Sequence, residues 1–195
     1  MKRGSLRLAA IVGALMISSS AYAADCKTST PKDDLTDAEV QKLYDCILEK
    51  MRTGYAKGGN AWAKDYTGWK ATATLPAAPG PHGNRFLMTF VNDTGHAEYV
   101  KFLEERGPMP VGTIIAKESF NIHKKKGTVR VGPLFFMEKV AAGNADKFGN
   151  WVYSAVRPNG KPMKVKQKFC HDCHSGFEDQ DALGYPDEDY RISSN

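Results

Sequence analysis

Cys170-His171-Asp172-Cys173-His174 places two thiols at i and i+3, with an imidazole directly after the second. This is the C-x-x-C-H spacing of c-type haem attachment. Thiols so spaced can add to the two vinyl groups on one porphyrin edge. The imidazole that follows then falls beneath the ring, where it can ligate iron. The pattern predicts one covalently attached haem c, with Cys170 and Cys173 as attachment sites and His174 as the metal ligand. Two other chemistries use a C-x-x-C pair. A thioredoxin-like dithiol needs a βαβ setting, which does not surround these residues. A zinc site needs further ligands, and no second C-x-x-C or H-x-x-x-H accompanies this one. His171, inside the motif, is given no role.

The second axial position of the iron decides what such a haem does. A methionine there makes a six-coordinate electron carrier, and Met88, Met109, Met137 and Met163 are available. Methionines on strands more commonly pack the core. An open position instead binds a small ligand or substrate. Aromatic residues such as Phe86, Phe90, Phe135 and Tyr153 are numerous enough to wall an apolar distal pocket, although core packing explains most of them.

The elements that must position this motif are legible in outline. Thr36-Asp37-Ala38-Glu39 has capping-box spacing. Val40, Leu43, Tyr44, Ile47 and Met51 then recur at three and four residues, which predicts a helix ended by Gly54 and Gly58-Gly59. Cys46 on this helix and Cys26 ahead of it are read as a structural disulfide. Strands are predicted over 66–74, 85–91, 113–120, 132–140 and 151–156, with a short helix from Asp93 or Thr94 to Leu103. Residues 75–83, rich in Pro and Gly, form a loop. Consecutive strands on short connections predict an α+β fold, mainly an antiparallel β-sheet with flanking helices and the haem-binding segment at the C-terminal end.

Residues 1–23 read as a signal peptide. Lys2, Arg3 and Arg7 precede an apolar stretch from Leu8 to Ile17, and Ala21 and Ala23 mark a cleavage site. That predicts export to the periplasm, with no membrane attachment after cleavage. Residues 24–60 then form an N-terminal arm and helix, and 61–195 the haem domain. The leader holds three of the 27 Lys+Arg and none of the 22 Asp+Glu, so the mature chain is about +2 (24 minus 22). This balance gives no nucleic-acid signature. Lys124-Lys125-Lys126 reads as a solvated turn.

The chain resembles the cytochrome P-460 family, which includes the cytochrome c′-beta proteins. The resemblance rests on Gly112-Thr113-Ile114-Ile115-Ala116-Lys117-Glu118, on the stretch 149–156 opening with Gly149-Asn150-Trp151, and on the C-x-x-C-H motif. It implies a largely antiparallel β fold, a homodimer, and a periplasmic mono-haem cytochrome. Such a protein oxidises hydroxylamine or handles nitric oxide at a five-coordinate haem, and passes electrons to a soluble redox partner. Members that lack a particular strand lysine bind gases without oxidising hydroxylamine. Where the lysine is present it bonds to the haem edge, and its match here is Lys117. A desolvated lysine amine is easily deprotonated and nucleophilic, which suits that bond. Hydroxylamine oxidation also needs a base. No Asp or Glu lies between Lys147 and Phe169. Glu118 must point away from Lys117 on a strand, which leaves Glu138, Asp146 and His123. Met88 falls near the place of an arginine carried by related enzymes. The alternative function is a non-enzymatic nitric-oxide-binding or electron-transfer cytochrome.

Overall fold

The computed structural model describes residues 26–77 and 80–192. The signal-peptide reading falls on residues outside these. Among the described residues, no helix is long and apolar enough to cross a membrane.

Helix α1 (Asp37–Ala56) starts where the capping box sets it: the Thr36 side chain accepts from Glu39 N, and the Glu39 carboxylate accepts from Thr36 N. Its apolar face, from Val40 to Met51, is buried. The helix ends at Ala56, past Gly54 and short of Gly58-Gly59, the glycines expected to end it. A Cβ on Gly54 would lie 2.3 Å from the Pro158 carbonyl oxygen, so this glycine serves close approach rather than termination. The Cys26–Cys46 disulfide is formed, and Cys26 O accepts from Val129 N, which ties the N-terminal arm to the sheet.

Among the described residues, seven strands make one antiparallel sheet: β1 (Lys70–Ala71), β2 (Phe86–Val91), β3 (Ile114–Ile122), β4 (Val129–Val131), β5 (Leu134–Lys139), β6 (Trp151–Val156) and β7 (Pro162–Met163). The order is β1-β2-β3-β5-β6-β7, with β4 paired to β3. The predicted meander is therefore present, with two short strands that sequence reading did not identify. The strand predicted over 66–74 shrinks to β1, because Tyr66–Gly68 wind into a 3-10 turn. Of the remaining helices, α2 (Ala61–Asp65) and α3 (Pro81–Asn84, one irregular turn) precede β2. Helix α4 (Asp93–Tyr99) follows β2, and α5 (Gln167–His174) carries the C-x-x-C-H motif.

Strand alternation gives the sheet two distinct faces. One carries Phe86, Met88, Phe90, Ala116, Phe120, Leu134 and Phe136, packed with α1 and α2. Glu118 is buried there and accepts from Tyr44 and Tyr66 and from Arg52 Nε at 2.8 Å. The opposite face carries Val91, Ile115, Met137, Trp151 and Tyr153, packed with Met109, Ala182 and Leu183. The chain after α5 folds back over this molecule: Ala182 and Leu183 enter the second core, and Tyr190 O accepts from Thr74 N at 2.9 Å.

Candidate haem site

The motif helix is docked by one side chain. Gln167, at the start of α5, accepts from Tyr153 N and donates to Tyr153 O, both at 2.7 Å. It completes the hydrogen bonding of β6 as a neighbouring strand would. From this anchor the helix brings Cys170, half-buried, and Cys173, exposed, to one side at i and i+3. The two thiols are unbridged. His171 turns aside: its Nδ1 lies 3.3 Å from the Tyr153 hydroxyl and its ring meets Phe148 edge-on.

His174 ends the helix and is buried. Its Nδ1 lies 2.7 Å from Ala182 O. A carbonyl oxygen only accepts, so Nδ1 must carry the proton. Nε2 then keeps its lone pair, the arrangement of a metal-ligating imidazole held by an outer hydrogen bond. Burial, then the charge of Lys117, pushes His174 down to about 4, so the ring is neutral at pH 7.

Ala182 O is placed by a chain of contacts that explains the Gly149-Asn150-Trp151 triplet. Gly149 and Asn150 both have left-handed backbones, with φ of 60°, a conformation these two residue types tolerate best. The bend frees Gly149 O to accept from Lys139 Nζ at 2.8 Å. It also lets the Trp151 indole donate to Asp181 O at 2.8 Å. Lys139, almost fully buried, pairs with Asp181 at 2.6 Å and lies over the Trp151 ring. Asp181 in turn accepts from Met109 N. The turn presenting Ala182 to His174 is thus fixed from three directions.

Lys117 lies on the same side of the sheet. In the antiparallel register it stands opposite Thr89 and Phe135, on the face away from α1. It is 7% exposed, its Nζ lies 3.5 Å from Gly184 O, and burial pushes it down to about 8. A minor fraction, about a tenth at pH 7, is therefore uncharged. Glu118 and Glu138 occupy the other face, as alternation requires. His123 is used locally, its Nδ1 accepting from Lys125 N and Lys126 N in the basic turn. Met88 also lies on the far face, whereas Met137 packs with Trp151 and Tyr153.

One residue that sequence reading passed over is brought here. His82, in the breaker-rich loop, packs its ring 5.1 Å from Phe135 and 6.0 Å from His174, centroid to centroid. Nothing in the periodicity of the loop marks it, because its position depends on the turn Gly80–Asn84 folding onto the sheet.

Taken with these positions, a family model described as cytochrome P460 matches residues 63–183. The chain belongs to the cytochrome P460 family. A search of curated proteins returned no match. The matched span holds the sheet from β1 onward, Lys117, the motif helix and the Asp181–Ala182 turn; α1 and the disulfide lie before it. Membership makes the chain a haem cytochrome, and the residues fit that group. Two unbridged thiols share a helix with a buried imidazole whose Nε2 is uncommitted, and a desolvated lysine lies on the same side. A zinc or dithiol reading fits less well. Among the described residues no group of three His, Cys, Asp or Glu is disposed to hold a metal ion, and the sheet is antiparallel throughout.

Proposed function

We propose that this cytochrome P460 family member is a periplasmic protein with one haem c, bound by thioethers from Cys170 and Cys173, and that it oxidises hydroxylamine or handles nitric oxide. His174 ligates the iron through Nε2. The haem supplies a site for a small nitrogen ligand and a store for the electrons removed from it. Lys117 would bond through Nζ to a haem-edge carbon, an N–H and a C–H bond being replaced by the N–C bond while two protons and two electrons pass to an external oxidant such as a peroxide. The reading is carried by the presence of buried Lys117 on the sheet face that also receives His174, whose ring packs on Tyr153 of that face. Desolvation keeps part of the lysine neutral and therefore nucleophilic. Ala182 O holds the Nδ1 proton and raises the electron donation of His174 to the metal. Electrons leave for a soluble redox partner through the haem edge near exposed Cys173, and the protein acts as a homodimer.

Intact mass and a tryptic digest of the mature holoprotein, with spectra before and after hydroxylamine, test this. Expected are one haem per chain, Lys117 missing from unmodified peptides, a Soret band displaced far to the red, and reduction of the haem by hydroxylamine. Recovery of unmodified Lys117 with no reduction would leave the alternative function, a nitric-oxide-binding or electron-transfer cytochrome. One observation favours that alternative: Glu118 and Glu138, the carboxylates on the strands flanking Lys117, face away from it, so neither can take substrate protons there.

A further inference from the structure

We infer that the cationic surface around Phe169 and Cys173 docks an acidic protein that accepts single electrons. The inference deepens the function proposed above. It rests on the haem held by Cys170 and Cys173, and it says what kind of partner takes the electrons. The first observation is charge. Residues 157–173 hold five cations, Arg157, Lys161, Lys164, Lys166 and Lys168, against one acid, Asp172. This stretch is therefore +4 (5 minus 1), whereas the rest of residues 24–195 is about −2 (19 minus 21). All five cations are exposed. Asp172 offsets one of them, since it pairs with Lys168 at 2.7 Å. Two further acids, Asp146 and Glu178, line the cavity on the His171 side of the helix.

The second observation is how the fold gathers these cations. Strand β7 ends the sheet, paired to β6 through Ala155 and Met163. Past it the chain keeps alternating up to the start of α5. Met163, Val165 and Gln167 are half-buried, and Lys164, Lys166 and Lys168 are exposed. Val165 packs into the core on the Trp151 face, and Gln167 bonds Tyr153. The lysines are thereby held in a row along the sheet edge that leads to the haem motif. Edge lysines also discourage pairing with a further strand, but that role needs no exposed apolar group among them.

Such a group is present. Phe169 is 75% exposed, more than any other large apolar side chain among the described residues. It lies four residues before Cys173, so the two share a face of α5, and Cys173 is exposed as well. An aromatic beside the sulfur at the haem edge, with cations around it, has the make-up of an interface: an apolar centre within a charged rim.

Charge complementarity selects the occupant. The partner presents carboxylates around an apolar patch, and the opposite charges steer it to the haem edge. A second copy of this chain is a poor fit, because a two-fold contact would set the same cations against one another. An anionic lipid surface would also attract the lysines, but it offers no centre to receive an electron beside Cys173. One electron passes from the ferrous haem to the oxidised centre of the partner. The haem becomes ferric, and no bond is made or broken.

The test uses plastocyanin, an acidic blue-copper protein, as probe. Holoprotein reduced with dithionite is mixed with oxidised plastocyanin in a stopped-flow instrument. The second-order rate should fall at least about tenfold between low and high salt. Lys164→Glu/Lys166→Glu should slow it about tenfold at low salt and match wild type at high salt. Phe169→Ser should slow it at both. Lys124→Glu/Lys125→Glu makes the same change in net charge on the β3–β4 turn and should have a much smaller effect. All variants should keep the wild-type rate with benzoquinone, an uncharged oxidant, which reports on haem and fold. With both proteins reduced, so that no electron moves, chemical shifts of isotope-labelled plastocyanin should show binding that weakens in Lys164→Glu/Lys166→Glu. Salt-independent oxidation of wild type, or equal slowing by the two lysine pairs, would overturn the inference, and the wild-type result decides even if a variant misfolds. Sedimentation of the holoprotein with phosphatidylglycerol vesicles, together with salt-independent oxidation by plastocyanin, would overturn it in favour of a membrane. Because dithionite supplies the electrons, failure to react with hydroxylamine would count only against the function proposed above.

Discussion

Lys117 is the residue whose chemistry depends most on its surroundings. A lysine in water titrates near 10.5, and burial brings Lys117 down to about 8. Below pH 8 both folded and unfolded chains hold the proton, so the folded state carries the full cost of a buried charge. Between about 8 and 10.5 the folded chain releases its proton first, and stability rises with pH. The rise is at most about 3.4 kcal/mol, from 1.36 kcal/mol per unit of pKa. It should be visible in a Cys170→Ala/Cys173→Ala protein, which cannot attach haem covalently. In urea unfolding at pH 7.5 and pH 10, this protein should gain stability at the higher pH relative to the same protein with Lys117→Met. Equal pH dependence in the two would show that Lys117 is not desolvated.

At the scale of elements, the two faces of the sheet divide the work. On one, Lys139 of β5 pins the Asp181–Ala182 turn and so the proton on His174 Nδ1. On the other, Glu118 of β3 ties Tyr44 and Arg52 of α1 to the sheet. Both are buried polar networks, and removing one partner from either leaves an uncompensated group. Lys139→Met should cost about 3 kcal/mol of stability. It should also raise the haem reduction potential, because a looser Ala182 carbonyl makes His174 a weaker donor to the oxidised metal. Glu118→Gln should cost about 2 kcal/mol and leave the potential unchanged. Denaturant unfolding with redox titration of both variants separates the two roles. Equal potential shifts in both would mean that the faces are not independent.

For the whole molecule, the disulfide lies far from the chemistry. Cys26–Cys46 closes a loop with a sequence separation of 20 and draws the arm against α1 and β4. A loop of that length contributes about 3 kcal/mol, chiefly by restricting the unfolded chain. Cys26→Ser/Cys46→Ser should therefore lower Tm by about 6–12 °C, at 2–4 °C per kcal/mol for a chain of this size. Its haem spectrum should match wild type, since the staple serves the face opposite the haem. A changed spectrum would show that α1 influences the site through the sheet.

Much of this was determined by the sequence alone. The capping box fixed the start of α1, its apolar spacing fixed the buried face, and the C-x-x-C-H spacing singled out Cys170, Cys173 and His174 as the residues proposed to hold the haem. Alternation along β3 already placed Lys117 and Glu118 on opposite sides. These are local rules, set by the 3.6 and 2.0 periods of helix and strand and by the reach of a single turn. The tertiary structure decided what brings distant segments together: His82 over Phe135, Ala182 against His174, and Lys139 on Asp181. It also decided that α1 runs through Gly54, one of the glycines expected to end it, and stops at Ala56. No periodicity encodes such contacts, because each depends on which loops fold onto which face, and only packing of the whole chain selects that.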